Sequence, residues 1–148
     1  MHFKKIKQLV TEAPVLRYYS VTDPVTLQCD ASYLGLGATL LQFGQPVAFA
    51  SRALSPVEQR YAQIEKEMLS IVFGCERYRQ YICGREISVH TDHKPLEIIF
   101  NKSLMFIPKR LQSMRLRLQD YDLKVTYIPG RDMHIADFFL VHHCQFHQ

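Results

Sequence analysis

An α/β fold is predicted, with one mixed sheet, flanking helices and one domain. Three observations predict it. Short segments with the two-residue alternation of strands recur along the chain: Val25–Cys29, Glu86–Thr91 and Leu123–Ile128, with Gly37–Phe43 and Pro46–Ala53 also strand-like. A long stretch with apolar residues at three- and four-residue steps separates the third of these strands from the fourth. Two strands, one on each side of that stretch, run into a carboxylate: Asp30 and Asp92. A strand–helix–strand order favours parallel pairing, and this would bring both aspartates out at one edge of the sheet.

Composition bounds the function classes. The 148 residues suffice for one domain with a real core, and 47% hydrophobic with 22% charged residues argues against extended disorder. A formal charge of +4 and a pI near 8.9 are compatible with a polyanionic partner without requiring one. Cys29, Cys75, Cys83 and Cys144 form no Cys-x-x-Cys pair, so free thiols in a reducing compartment are expected. No apolar run approaches the ~20 residues of a membrane span. The basic start, Met1 to Lys7, lacks the apolar run and cleavage site of a signal peptide.

In chain order, residues 3–10 suit a short amphipathic helix limited by Pro14. Thr22-Asp23-Pro24 reads as a turn before the first strand. The strand ending at Asp30 is followed by the glycine-rich run Ser32 to Ala38, then by two strands joined by a tight turn at Gly44-Gln45. Together these predict an antiparallel meander. Ser55-Pro56-Val57-Glu58 is a capping-box start, and the helix it opens is predicted to run to about Ile82 and end near Gly84. Its apolar stripe is Tyr61, Ile64, Met68, Ile71, Val72 and Cys75. Glu65 and Glu67 each lie about 80° from the middle of that stripe at ~100° per residue, so the wheel does not choose between them. After the strand to Thr91, helices are predicted from His93 to Phe100 and from Pro108 to Asp120, then the last strand, closed by Pro129-Gly130. A final short helix presents Asp137.

The candidate chemistry is carboxylate chemistry. Asp30, Glu67 or Glu65, Asp92 and Asp137 crowded into one pocket would repel one another, and cations relieve that repulsion. All-oxygen ligands suit Mg²⁺ or Mn²⁺ rather than zinc. Two such ions roughly 4 Å apart stabilise both the attacking and the leaving oxygen in phosphodiester hydrolysis.

Between Ala13 and Asp137 the chain resembles the ribonuclease H domain of gypsy-type LTR-retrotransposon reverse transcriptases (Pol polyproteins). The motifs that carry the resemblance are Asp30-Ala31-Ser32 with Gly35-Leu36-Gly37-Ala38; Ala48 to Ser55; Tyr61 with Glu65-Lys66-Glu67-Met68-Leu69; and Arg79-Gln80-Tyr81. They continue with Thr91-Asp92-His93-Lys94-Pro95-Leu96, Pro108-Lys109-Arg110-Leu111, Tyr127-Ile128-Pro129-Gly130 and Ala136-Asp137. The resemblance implies a ribonuclease H-like fold with five strands in the order 3-2-1-4-5. It implies Mg²⁺-dependent cleavage of the RNA strand of RNA–DNA hybrids by two ions, Mn²⁺ substituting, with 3′-hydroxyl and 5′-phosphate products. Asp30, Glu67, Asp92 and Asp137 would be the metal ligands, Glu67 because the family's glutamate precedes an apolar pair. It further implies a polymerase fused upstream, residues 1–22 as the tether, 23–140 as the domain and 141–148 as a divergent tail. No membrane association is implied, and a cytoplasmic retroelement particle is the expected location, with the nucleus as the alternative.

The chain departs from the family after Ala136-Asp137, where Phe138-Phe139-Leu140-Val141 replaces the usual small residue and Leu-Ser-Arg. A catalytically impaired module that binds nucleic acid or protein is therefore the rival expectation. An integrase of the same fold fits less well, since its glutamate normally comes last, on a late helix. Ser32, Lys94, Lys109, Arg110 and Arg115 are candidate substrate contacts, with Arg117 beside them. A solvated basic helix face is the alternative for the last four. Gly35 and Gly37 are assigned to backbone geometry, His90 to packing, and His134 to surface rather than product release. His142, His143, Cys144 and His147 are not expected to build a closed zinc site.

Overall fold

The computed structural model describes residues 16–130. Five strands form one sheet in the order β3-β2-β1-β4-β5. They are β1 (Thr26–Ala31), β2 (Gly35–Gln42), β3 (Gln45–Ala53), β4 (Glu86–Thr91) and β5 (Asp122–Tyr127). The first three pair antiparallel, β4 pairs parallel with β1, and β5 parallel with β4. This is the fold and strand order the resemblance implies.

The hairpin between β2 and β3 turns at Phe43 and Gly44, with φ of 52° and 73°. A two-residue hairpin loop of type I′ has positive φ at both central positions, which matches the strand twist, so the turn sits one residue earlier than Gly44-Gln45. Gly44 takes that conformation at no steric cost, whereas Phe43 adopts it against its own preference.

The long helix expected from Ser55 to Ile82 is three pieces: a 3-10 turn (Glu58–Arg60), α1 (Gln63–Arg77) and α2 (Arg79–Ile82). The capping box does form. The Glu58 amide donates to Ser55 Oγ at 3.2 Å, and the Ser55 amide to Glu58 Oε1 at 2.9 Å. Yet Tyr61 turns out of helix, at φ −63° and ψ 149°. The reason is a second start just downstream: the Ala62 amide donates to Glu65 Oε1 at 2.8 Å instead of continuing the first turn. Gly84, at φ 84°, ends the crossover as its position predicted. The remaining helices are α3 (Lys94–Asn101) and α4 (Lys109–Arg117), joined by a 3-10 turn at Leu104–Phe106.

One face of the sheet and α1 make the core. Leu27, Cys29, Leu36, Ala38, Leu40, Ile87 and Val89 are buried, as are Met68, Ile71, Val72 and Cys75 of α1. Contact is close enough that a Cβ on Gly74 would lie 3.0 Å from both Ala38 Cβ and Leu27 Cδ2. That glycine lets α1 sit low on β1 and β2, which fixes the height of Glu67 above the sheet.

Candidate metal centre

Parallel pairing builds the site. Thr26, Leu27 and Gln28 pair with Ser88, Val89 and His90, and the same offset carries Asp30 to Asp92. Asp30 is the penultimate residue of β1 and Asp92 follows β4 directly, so both leave the sheet at one rim. Glu67 comes down from α1. Ligand oxygens of Asp30, Glu67 and Asp92 lie within 4.8 Å of one another.

Each carboxylate is held by its surroundings. Asp30 is 6% exposed, and its Oδ1 accepts from the Ala31 amide at 2.9 Å. Glu67 is 3% exposed, and its Oε1 accepts from Gln63 Nε2, one turn earlier, at 2.9 Å. Asp92 is half-buried. Gly130 packs against it so closely that a Cβ there would be 3.1 Å from Asp92 Oδ2. The loop bearing Gly130 is anchored by the Ile128 amide donating to Thr91 O at 2.8 Å. Burial pushes the Cys29 thiol well up, with the Cys75, Glu67 and Asp30 side chains adding to it, so this neighbour stays protonated.

The donor set is three hard carboxylates, two of them nearly dry. Such a cluster is costly without cations and matches the all-oxygen preference of Mg²⁺ or Mn²⁺. Three of the four predicted ligands are therefore brought together. Asp137 lies outside the described residues, as do His134, His142, His143, Cys144 and His147. Glu65 is excluded from the cluster by its own duties. It caps α1 through the Ala62 amide, and Arg110 binds its carboxylate at 3.1 Å.

The predicted substrate contacts are placed less uniformly. The Ser32 hydroxyl braces the β1–β2 turn, accepting from the Gly35 amide at 3.0 Å. Arg110 stacks 4.3 Å from the Tyr61 ring centroid besides pairing with Glu65. Arg115 donates to the Ile99 carbonyl at 3.1 Å and also to that of Lys102. Arg117 pairs with Glu76 at 2.7 Å. Three guanidiniums of α4 thus tie helices and loops together. Lys109 and Lys94 are exposed at the first residues of α4 and α3. His90 is half-buried, and burial lowers its affinity for a proton. Two supporting residues escaped sequence reasoning. Gln63 carried a signal in its four-residue spacing from Glu67, while Gly130 carried none beyond a strand-closing turn.

A family model described as an RNase H-like domain found in reverse transcriptase matches residues 20–121. The retrovirus-related Pol polyprotein from transposon 297 of Drosophila melanogaster is 38% identical over 135 residues, 91% of this chain and 13% of that protein. The Pol polyprotein from transposon gypsy of the same organism is 35% identical over 138 residues, with the same 91% and 13% coverage. The chain thus spans about an eighth of the curated relatives it matches (13%). Among solved structures, RNase H1 from Halobacterium salinarum superimposes with a TM-score of 0.61 at 18% identity, covering 77% of this chain and 92% of that one. A foamy viral protease-reverse transcriptase in complex with an RNA/DNA hybrid gives 0.61 at 16% identity, covering 86% and 18%. Those two likenesses speak to the fold. With the order β3-β2-β1-β4-β5, the family match and the Pol relatives in agreement, the chain belongs to the RNase H-like domains of retroelement reverse transcriptases.

Proposed function

We propose that this domain is an endoribonuclease that cuts the RNA strand of RNA–DNA hybrids with Mg²⁺, leaving 3′-hydroxyl and 5′-phosphate ends, during retroelement reverse transcription. The observation that carries it is the convergence of Asp30, Glu67 and Asp92 within 4.8 Å, in a chain of this family. Asp30, Glu67 and Asp92 would hold the ions, with Asp137 of the undescribed C-terminal stretch as fourth ligand. When bound, two divalent cations supply charge stabilisation to the attacking water and to the departing 3′-oxygen. The protein's own part is positional. Gln63 orients Glu67, the Ala31 amide orients Asp30, and Gly130 leaves Asp92 the room it occupies. Substrate charge would be met by Lys94 and Lys109, both exposed at helix starts. The whole protein would carry a polymerase upstream, as the family resemblance implies, with this chain spanning 13% of the Pol relative, and the working location would be a retroelement particle.

A labelled RNA–DNA hybrid incubated with Mg²⁺ tests this reading. The expected result is a cut RNA strand, an intact DNA strand and a rate lowered by orders of magnitude in Asp30→Asn. Well-folded protein that leaves the hybrid whole overturns it. If that protein still binds the hybrid with steep salt dependence, the binding-module reading stands, which the altered sequence after Asp137 favours.

A further inference from the structure

Lys66 immediately precedes Glu67 on α1 and is only 5% exposed. None of the ion pairs among the described residues involves Lys66. Its Nζ instead lies 5.3 Å from the centroid of the Tyr33 ring. That ring is 78% exposed and belongs to the β1–β2 turn, three residues beyond Asp30. A cation outside every ion pair among the described residues thus neighbours two of the three segments that supply the carboxylates, with a solvent-facing aromatic ring against it.

We infer that Lys66 and Tyr33 form a subsite for the nucleic-acid strand held at the carboxylates. The Lys66 ammonium takes a non-bridging oxygen of a phosphate next to the linkage being cut, and the Tyr33 ring stacks on the adjoining nucleotide. This rests on the hydrolase reading above. A phosphate forms charge-assisted hydrogen bonds with an ammonium, a stronger contact than a ring face offers, so arrival of the strand displaces Tyr33 from the cation. An exposed side chain on a turn changes rotamer freely, and an aromatic ring stacks on any base. Placing a cation here also offsets the repulsion three carboxylates exert on an incoming polyanion.

The test is equilibrium binding of a fluorescent RNA–DNA hybrid across a KCl series, with Ca²⁺ replacing Mg²⁺ to suppress turnover. Lys66→Met is expected to weaken binding about tenfold and to flatten the slope of log affinity on log salt by about one, the signature of one lost phosphate contact. Lys66→Arg restores both. Tyr33→Leu weakens binding with the slope unchanged, and Tyr33→Phe behaves as wild type. A lysine that merely braces the fold changes melting temperature and leaves the salt slope alone, so folded Lys66→Met with unaltered slope and affinity overturns the subsite. Should Lys66→Met not fold, the Lys66 ammonium NMR signal of the unaltered protein decides instead. Titrating in a short hybrid shifts it if the phosphate lands there, and a signal that does not move overturns the subsite. If wild-type protein cleaves the hybrid while the Lys66 and Tyr33 variants match it, the subsite alone falls. If wild type neither binds nor cleaves, the hydrolase reading falls and takes the subsite with it.

Discussion

Glu65 and Glu67 lie two positions apart on α1 and do unrelated work. Glu65 accepts from the Ala62 amide and binds Arg110, whereas Glu67 joins the two aspartates. Glu65→Gln weakens the cap and the ion pair and is expected to cost about 1 kcal/mol in urea unfolding. It leaves the Mg²⁺-induced rise in melting temperature intact. Glu67→Gln relieves carboxylate repulsion, so the protein without metal keeps or gains stability while that Mg²⁺-induced rise disappears. The helical wheel could not make this distinction, because both residues sit at the stripe's edge. Where the second helix start falls decides it, and a backbone amide sets that start. Glu58 offers a pH test at the same scale. Arg52 donates to both its oxygens, at 2.8 and 3.0 Å, and holds its carboxyl at about 2, below the usual 4.5. A depressed acid contributes its stability fully above the unfolded value and loses it as pH falls through the folded one. Arg52→Met is therefore expected to be about 0.5–1 kcal/mol less stable than wild type at pH 6, with the gap closing toward pH 2. Urea midpoints at pH 6, 4 and 2.5 read this directly.

At the scale of elements, the strands were legible and the long helix was not. Alternation located β4 to the residue and β1 and β5 within two residues, and the turn at Gly44-Gln45 set β2 and β3 apart to the same accuracy although β2 is buried along its whole length. Periodicity within the crossover identified the buried face of α1 correctly, yet could not see the break at Tyr61. The first piece, Glu58–Arg60, holds no apolar residue that could mark the break, and only the competition between the Ser55–Glu58 and Ala62–Glu65 starts divides the two. The seat of α1 on the sheet was equally invisible, since Gly74 looks like a weak helix residue in sequence. Gly74→Ala gains helix propensity of up to about 1 kcal/mol but drives a methyl to 3.0 Å from Ala38 and Leu27. Overpacking of this kind costs about 1–3 kcal/mol, so a net loss of about 1 kcal/mol is expected. Because α1 must lift to make room, Glu67 moves with it. Mg²⁺ affinity, read by calorimetric titration, should fall several-fold even in protein that remains folded. A mutant with lowered stability and unchanged Mg²⁺ affinity would show that the helix seat and the metal centre are independent.

Across the whole molecule, the parallel register of β1 and β4 puts the carboxylates at one end of the sheet and leaves the other end for the incoming chain. The sequence allowed this by placing a helix between two aspartate-ended strands, but nothing in it foretold how residues 16–24 are fastened. The side chain of Gln42, fully buried at the end of β2, accepts from the Ser20 amide at 2.8 Å. It also donates to the carbonyls of Ser20 at 2.7 Å and Asp23 at 3.2 Å. Arg85, just before β4, donates to Tyr19 Oη at 2.8 Å and to Val21 O at 3.1 Å. Arg17 closes the strap through Asp23 at 2.9 Å and through its amide to Pro46 O at 3.0 Å. Glutamine and arginine at strand ends read as ordinary solvated residues, so this partnership had no signature in the sequence. We propose that residues 16–22 belong to the folded domain rather than to a tether. A chain beginning at residue 24 loses every partner of the Gln42 amide on that segment. It is expected to be about 2 kcal/mol less stable than a chain beginning at residue 16, by urea unfolding. Arg85→Ala in the longer chain should reproduce part of that loss, and Mg²⁺ affinity should survive in both, since the strap and the carboxylates occupy opposite ends of β1. Equal midpoints for the two chains would make residues 16–22 a passive leader and return the domain boundary to residue 23.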